Sequence, residues 1–328
     1  ERLFSSPLLK KYFDDAVSHL VRATGRLADT AAATADILAT RRSSNKSTQS
    51  TLSEKLDNHL FHALLEGDDV KDVDYATWTK DRNRRARLLS VKSRLAGAWL
   101  LSPPSPFLGT TMTNAQFSTA IRLRLGEPVF TASSVLRCNI CQDCSDLFGY
   151  HATSCKGRGS LGQRHNHVRD VLYRMMSHAG MQPSREVCFH SADGTALRPA
   201  DLLFCNRTGE YVALDVAITQ PLQTAFEGGA AQQHAFAAEK YGETQKLKKY
   251  AVRRNGRNVL KNHEHVLMKP VVFETFGACN ADAKQLIDTI ANGWSVLAQI
   301  SMSKARERVE NQRSLALQRM NAVMVLDR

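Results

Sequence analysis

A chain of 328 residues, 43% hydrophobic and 23% charged, has room for two domains and a substantial core, and reads as an ordinary globular protein rather than a disordered or fibrous one. Its 44 Lys and Arg against 32 Asp and Glu leave a formal charge of +12, which favours a polyanionic partner, nucleic acid ahead of an anionic membrane surface. No apolar run approaches the roughly 20 residues that a helix needs to cross a bilayer, so no membrane partner is expected. Because the chain opens on Glu1 rather than Met, a fragment of a longer polypeptide is one expectation.

In chain order, residues 7–40 have Ala-rich helical spacing, and the polar run 41–50 reads as a linker or long loop. A helix over 51–65 follows, with Leu56, Leu60 and Leu64 at four-residue steps. The segment 75–100 predicts a basic helix carrying Arg82, Arg84, Arg85, Arg87, Lys92 and Arg94, stopped before Pro103-Pro104. Asn114 is the expected N-cap of a helix ending at Gly126. Beyond a cysteine cluster, apolar residues at Val168, Val171, Leu172, Met175 and Ala179 predict a helix over 165–179 that stops at Gly180. Residues 185–190, 200–205 and 211–219 are short β-type runs, with turns at Asp193-Gly194 and Thr208-Gly209. A helix over 232–252, a strand over 270–275 and two helices, 280–300 and 302–325, complete the chain. The order predicts an α/β protein with a mixed sheet flanked by helices.

Four of the seven cysteines, Cys138, Cys141, Cys144 and Cys155, fall within eighteen positions. An odd, clustered set argues against a secreted disulfide scaffold and for a metal site in a reducing compartment. Cys138-x2-Cys141-x9-His151-x3-Cys155 supplies three thiolates and an imidazole, a full tetrahedral set for Zn²⁺. Cys144 is a rival ligand, since Cys141-x2-Cys144 has the same spacing, and Gly149 eases the returning turn. Four protein ligands leave no open position, so the zinc role is structural. Arg164-His165-Asn166-His167 permits an HNH-nuclease reading, but it opens an amphipathic helix rather than a hairpin. His165 or Arg164 packing against the zinc module or touching phosphate is the competing assignment.

Arg198-Pro199-Ala200-Asp201 and the run 211–218 containing Asp215 place two carboxylates fourteen positions apart, with the turn 206–210 between them. On neighbouring strands they would offer oxygen ligands to Mg²⁺, with the Val216 carbonyl as a third and Glu186 completing the set. A hydrolytic phosphodiester site needs such a metal and benefits from a cation near the developing charge. The in-line lysine position is Ala217, so a lysine would have to come from the following helix, where Lys246 and Lys249 share a face. Arg253, Arg254, Arg257 and Lys261 extend that helix into a basic stripe suited to phosphates.

The ordered series from Cys138-x2-Cys141 through His151, Cys155, Arg164-His165-Asn166, Glu186, Arg198-Pro-Ala-Asp201 and Leu214-Asp215 resembles the restriction-like endonuclease module of site-specific non-LTR retrotransposon proteins. The resemblance covers residues 95–255 and includes Ala98-Trp-Leu-Leu-Ser-Pro-Pro and Arg122-Leu-Arg-Leu-Gly126. It implies a PD-(D/E)XK-type fold whose lysine has moved to the next helix, with Lys246-x-x-Lys249-Tyr250 matching the family's Lys-x-x-Lys-Tyr. It further implies a module that nicks DNA to prime reverse transcription, in the nucleus of a eukaryote or otherwise inside the cell. A reverse-transcriptase region would then lie on the same or another polypeptide.

The expected organisation is a helical basic region over 1–130, a zinc knuckle over 131–162, a restriction-like core over 163–280 and C-terminal helices over 281–328. The expected activity is Mg²⁺-dependent cleavage of DNA, with RNA left open as a substrate. Asp201, Asp215, Lys246 and Glu186 are assigned to catalysis, and Arg164, His165, Lys249, Arg253 and Arg254 to nucleic-acid contact. The alternative is a binding module whose nuclease core has decayed.

Overall fold

The computed structural model describes residues 75–327 except 107–108, 132–136, 144 and 191–195, together with positions 17, 18, 57, 58, 61 and 65. The expected helices over 7–40 and 51–65, the linker at 41–50, the Asp193-Gly194 turn and Cys144 therefore lie largely or wholly outside the described residues. The chain forms two compact units, Glu1–Asp74 and Tyr75–Arg328. The expected segments 131–162, 163–280 and 281–328 all fall within the second.

That unit is built on a six-stranded mixed sheet in the order β1-β2-β3-β6-β5-β4. Its strands are β1 (Ser184–His190), β2 (Ala196–Cys205), β3 (Tyr211–Thr219), β4 (Ala251–Arg254), β5 (Arg257–Leu260) and β6 (His263–Glu274). β1, β2 and β3 form an antiparallel meander, and β3 runs parallel to β6 over its whole length. Parallel neighbours require a crossover. Here it runs through α5 (Glu227–Ala230), α6 (Phe236–Tyr241), a π-helical turn (Gly242–Leu247) and α7 (Lys248–Tyr250). β3 is buried on both faces from Val212 to Ala217, as its near-continuous apolar run requires.

The remaining helices are α1 (Tyr75–Val91), α2 (Arg94–Gly97), α3 (Asn114–Leu125), α4 (Ser160–His178), α8 (Ala281–Leu297) and α9 (Met302–Leu326). The main core joins α4 (Val168, Leu172, Met175, Met176), the strands (Leu202, Leu214, Val216, Val271, Phe273) and the two closing helices (Leu286, Ile287, Ile290, Val309, Leu317). Each of the larger of these side chains contributes about 1.5–3 kcal/mol when fully buried.

Four local readings change. The basic helix expected over 75–100 breaks at Lys92, because the Ser93 hydroxyl accepts the Leu95 N–H and starts α2. The N-cap of α3 is Thr113 rather than Asn114: Thr113 and Gln116 form a reciprocal capping box. The single helix expected over 232–252 is a series of short helical pieces ending at Tyr250, and the basic stripe beyond it lies on a β-hairpin turned through Asn255 and Gly256, both at positive φ. Finally, β6 begins at His263 rather than Pro270, which stands in register with Asp215 inside the strand. β5 accompanies β6 only as far as Leu267, so the proline falls where β6 has one strand neighbour.

Candidate functional site

Among the described residues, Cys138, Cys141, His151 and Cys155 bring one ligand atom each within 4.8 Å of one another. The Cys138 and Cys155 sulfurs are 3.9 Å apart, and Cys141 Sγ lies 3.2 Å from His151 Nε2. A tetrahedron with zinc–sulfur bonds of about 2.3 Å has sulfur–sulfur edges of about 3.8 Å. The cluster could hold a metal ion, and its donor chemistry suits zinc.

Backbone geometry prepares these ligands. The Ile140 N–H points at Cys138 Sγ and the Gly157 N–H at Cys155 Sγ, both at 3.4 Å, which stabilises thiolate over thiol. Burial opposes ionisation at Cys138, yet donation from backbone N–H groups outweighs it and brings this thiol below its ordinary range. Asp146 organises the returning loop: its carboxylate accepts the N–H groups of Phe148, Tyr150 and His151 at 2.9, 3.0 and 2.6 Å. Gly149 adopts φ 76°, where an added Cβ would lie 2.8 Å from Val129. The module joins the sheet through Gln220 Nε2, which donates to Thr153 Oγ1 at 2.8 Å, and through an edge contact of Tyr150 on Phe276.

The second cluster lies where β2 and β3 part. Their ladder pairs Cys205 with Tyr211 and Leu202 with Leu214, and the next step along it sets Asp201 opposite Asp215. The pairing stops there because the Asp201 side chain takes over a backbone partner: the Val216 N–H donates to Asp201 Oδ2 at 2.7 Å. Asp201 Oδ1 lies 3.1 Å from His165 Nε2 on α4. Opposite, Lys246 Nζ donates to Asp215 Oδ1 at 2.7 Å. Asp201, Asp215, His165 and Lys246 line one cavity of about 380 Å³ together with Ala217, Tyr241 and Tyr250.

Asp215 is only 5% exposed, which excludes a solvent-facing role on the strand. Burial pushes its carboxyl up to about 6, against the pull of the Lys246 ammonium, and the Asp201 charge adds to the rise. Burial also opposes the charge on Lys246, but Asp215 outweighs it and raises the ammonium above its ordinary value. Near neutral pH both partners are charged. Lys246 reaches the strand from the π-helical turn, and such turns recur at functional positions.

The structure separates the remaining candidates. Glu186 stands at φ 53° and its carboxylate pairs with Arg169, one helical turn beyond His165, so it does not line the cavity. Arg164 is not a surface contact. Its guanidinium is buried, donates to Asn321 Oδ1 at 2.8 Å and has its pKa lowered to about 10 by that burial. Although the residue borders the Asp201–Asp215 cavity, its guanidinium is turned to α9 and buried there, which corrects the expected surface contact with nucleic acid. Arg254 pairs with Glu264 at 3.0 Å on the exposed hairpin, and Arg253 is exposed beside it. Lys249 is exposed with its ammonium 4.7 Å from the centre of the Tyr250 ring. Along the basic helices, Arg87 is buried and donates to the Arg124 carbonyl, and Arg82 pairs with Glu227.

No family model matches the chain, and no curated protein matches its sequence. The site therefore rests on its own geometry. Sequence reasoning reached Asp201, Asp215 and Lys246 but not the union of His165 with Asp201, nor Tyr241 as part of the cavity. A signal for His165 exists in its spacing, since it precedes Val168 and Leu172 by three and seven residues on the buried face of α4.

Proposed function

We propose that this chain is a Mg²⁺-dependent endonuclease of the restriction-like type, cleaving DNA by phosphodiester hydrolysis. One observation carries the reading: Lys246 reaches Asp215 from the crossover, into the cavity that Ala217 leaves unfilled. An acid–acid–lysine set is thereby assembled although the in-line position is alanine. The order helix, three antiparallel strands, crossover and parallel strand supports the same reading, because it brings these three groups to one end of the central strands.

Asp201, Asp215 and the Val216 carbonyl offer oxygen donors of the kind a hard divalent cation takes. Bound there, Mg²⁺ would supply Lewis acidity and a water of lowered pKa. The chain's own residues do the rest. His165 and the Val216 N–H fix both Asp201 oxygens, and the Lys246 ammonium orients a water and meets charge developing on the phosphate. The tyrosines narrow the cavity, and exposed Arg253 and Lys249 contribute phosphate contacts beside it. The zinc module is structural, holding α3, α9 and the sheet end together. A nuclear location and a reverse-transcriptase region as partner accompany this proposal.

The test is nicking of supercoiled plasmid with and without Mg²⁺ at fixed salt. Asp215→Ala is expected to abolish nicking and to leave gel-shift binding of DNA intact; undiminished nicking would sink the assignment. A second reading, a binding module with a decayed core, draws on the commitment of Glu186 to Arg169. It is the correct one if the wild-type protein shifts DNA but never nicks it at any Mg²⁺ concentration.

A further inference from the structure

On the flank of α4 away from Asp201, a second cavity of about 470 Å³ is lined by His167, Arg174 and His178 of α4 and by Arg319 of α9, under a loop containing Gly109 and Thr110. The three α4 residues fall on one stripe at i, i+7 and i+11. Among the described residues, no carboxylate lines the cavity. Arg319 is fixed in place: its guanidinium donates to the Gly109 carbonyl at 3.0 Å and to the Thr111 carbonyl at 3.4 Å, and lies 3.1 Å from His167 Nε2. Arg174 is exposed at the mouth and makes no ion pair with the described residues.

The charges here are uncompensated. Burial and the neighbouring Arg319 and Arg174 charges lower the His167 pKa, and burial with Arg174 lowers that of Arg319. Asp170 is the acid that acts on His167, but it is already taken up by Arg169 at 2.9 Å and Arg185 at 3.3 Å. With His167 Nε2 accepting from Arg319, the other imidazole nitrogen of His167 remains to donate, and together with the Arg174 and Arg319 guanidiniums it forms a donor set suited to a tetrahedral oxyanion.

We propose that the cavity between α4, α9 and the 109–110 loop is a phosphate-binding site, with Arg174, His167 and Arg319 as its donors. It does not rest on the nuclease reading, since none of these residues lines the Asp201–Asp215 cavity. The ligand is a phosphate group, either free or at the 5′ end of a nucleic-acid strand.

The test is calorimetric titration of the whole chain with inorganic phosphate at constant ionic strength, with Arg174→Gln and His167→Gln beside the wild type. The wild type should bind, and Arg174→Gln, exposed and therefore harmless to folding, should weaken binding by at least about tenfold, as loss of one charge-assisted hydrogen bond does. In parallel, the His167 imidazole signal followed by NMR should titrate at higher pH once phosphate is bound. A 5′-phosphorylated oligonucleotide that competes where its unphosphorylated twin does not identifies a strand end as the source; competition by neither leaves free phosphate as the ligand. No phosphate binding, equal binding by Arg174→Gln, or a His167 titration that phosphate leaves unmoved each overturns the site. Plasmid nicking by the same samples reports separately on the other cavity.

Discussion

Replacing Lys246 by methionine isolates what the crossover lysine does. The perturbation removes one partner of a pair whose other member, Asp215, is almost fully buried. Stranding an ionised carboxylate in that position would cost about 3–5 kcal/mol. The carboxyl has a cheaper course. It already sits at about 6 with the ammonium 2.7 Å away, so losing that attraction moves it further upward and it takes a proton at pH 7. Each unit of that rise is worth about 1.4 kcal/mol, and protonation caps the penalty once the carboxyl is neutral. A neutral acid facing a methionine of similar length should leave folding stability within about 2 kcal/mol of wild type. Nicking should instead fall about 10²–10³-fold, the usual cost of removing a group that meets charge in the transition state. The assay is a plasmid-nicking time course alongside urea unfolding of the same samples. Adding Ala217→Lys to Lys246→Met should restore part of the lost rate, because position 217 lines the same cavity. The reasoning is refuted if Lys246→Met alone nicks within about tenfold of wild type while remaining folded.

Metal analysis should find zinc bound at the Cys138, Cys141, His151 and Cys155 cluster, and its removal by a chelator should lower the unfolding midpoint. Asp146→Ala deprives three backbone N–H groups of their acceptor. It should cost about 1–3 kcal/mol and release zinc to a competing chromophoric chelator more readily than wild type; equal retention would show that the loop does not depend on Asp146. Asn321→Leu removes the acceptor of the buried Arg164 guanidinium and should destabilise the fold by about 1.5–3 kcal/mol in urea titration, whereas a surface role for Arg164 predicts almost no change. At the turn before β3, Arg257, Asn206 and Thr208 hold Glu210 down to about 2. Its folded value lies below the ordinary one, so the contribution is present above about pH 4.5 and is lost as pH falls through about 2. Glu210→Gln should therefore be less stable than wild type at neutral pH, with the difference closing over that acid window.

The two carboxylates were legible in the sequence because a short hairpin leaves little freedom. The Asn206–Glu210 turn closes with Asn206 Oδ1 accepting the Thr208 and Glu210 N–H groups and with Gly209 at φ 81°, and from that closure the pairing of Leu202 with Leu214 follows. The Cys3His cluster was legible for the same reason, since each half of the set lies within one turn of chain. Where a reading failed, a distant or unusual contact decided. Arg164 looked like a phosphate ligand until a partner 157 residues away buried it. The hairpin of β4 and β5 was hidden by a run of charge that carries no period of its own.

The sequence by itself determined the two short-range constellations, Cys3His and the paired aspartates, because turn geometry and strand register fix spacings of fewer than twenty residues. Only the tertiary structure decided which other groups join them. Lys246 meets Asp215 through a parallel crossover and a π turn, and His165 meets Asp201 through the packing of α4 on the sheet. Glu186 is drawn off to Arg169 by a left-handed backbone at the sheet edge. Side chains 31 and 36 residues apart in the chain become neighbours only after loop closure is offset by burial of the core between them, and no local pattern records that balance.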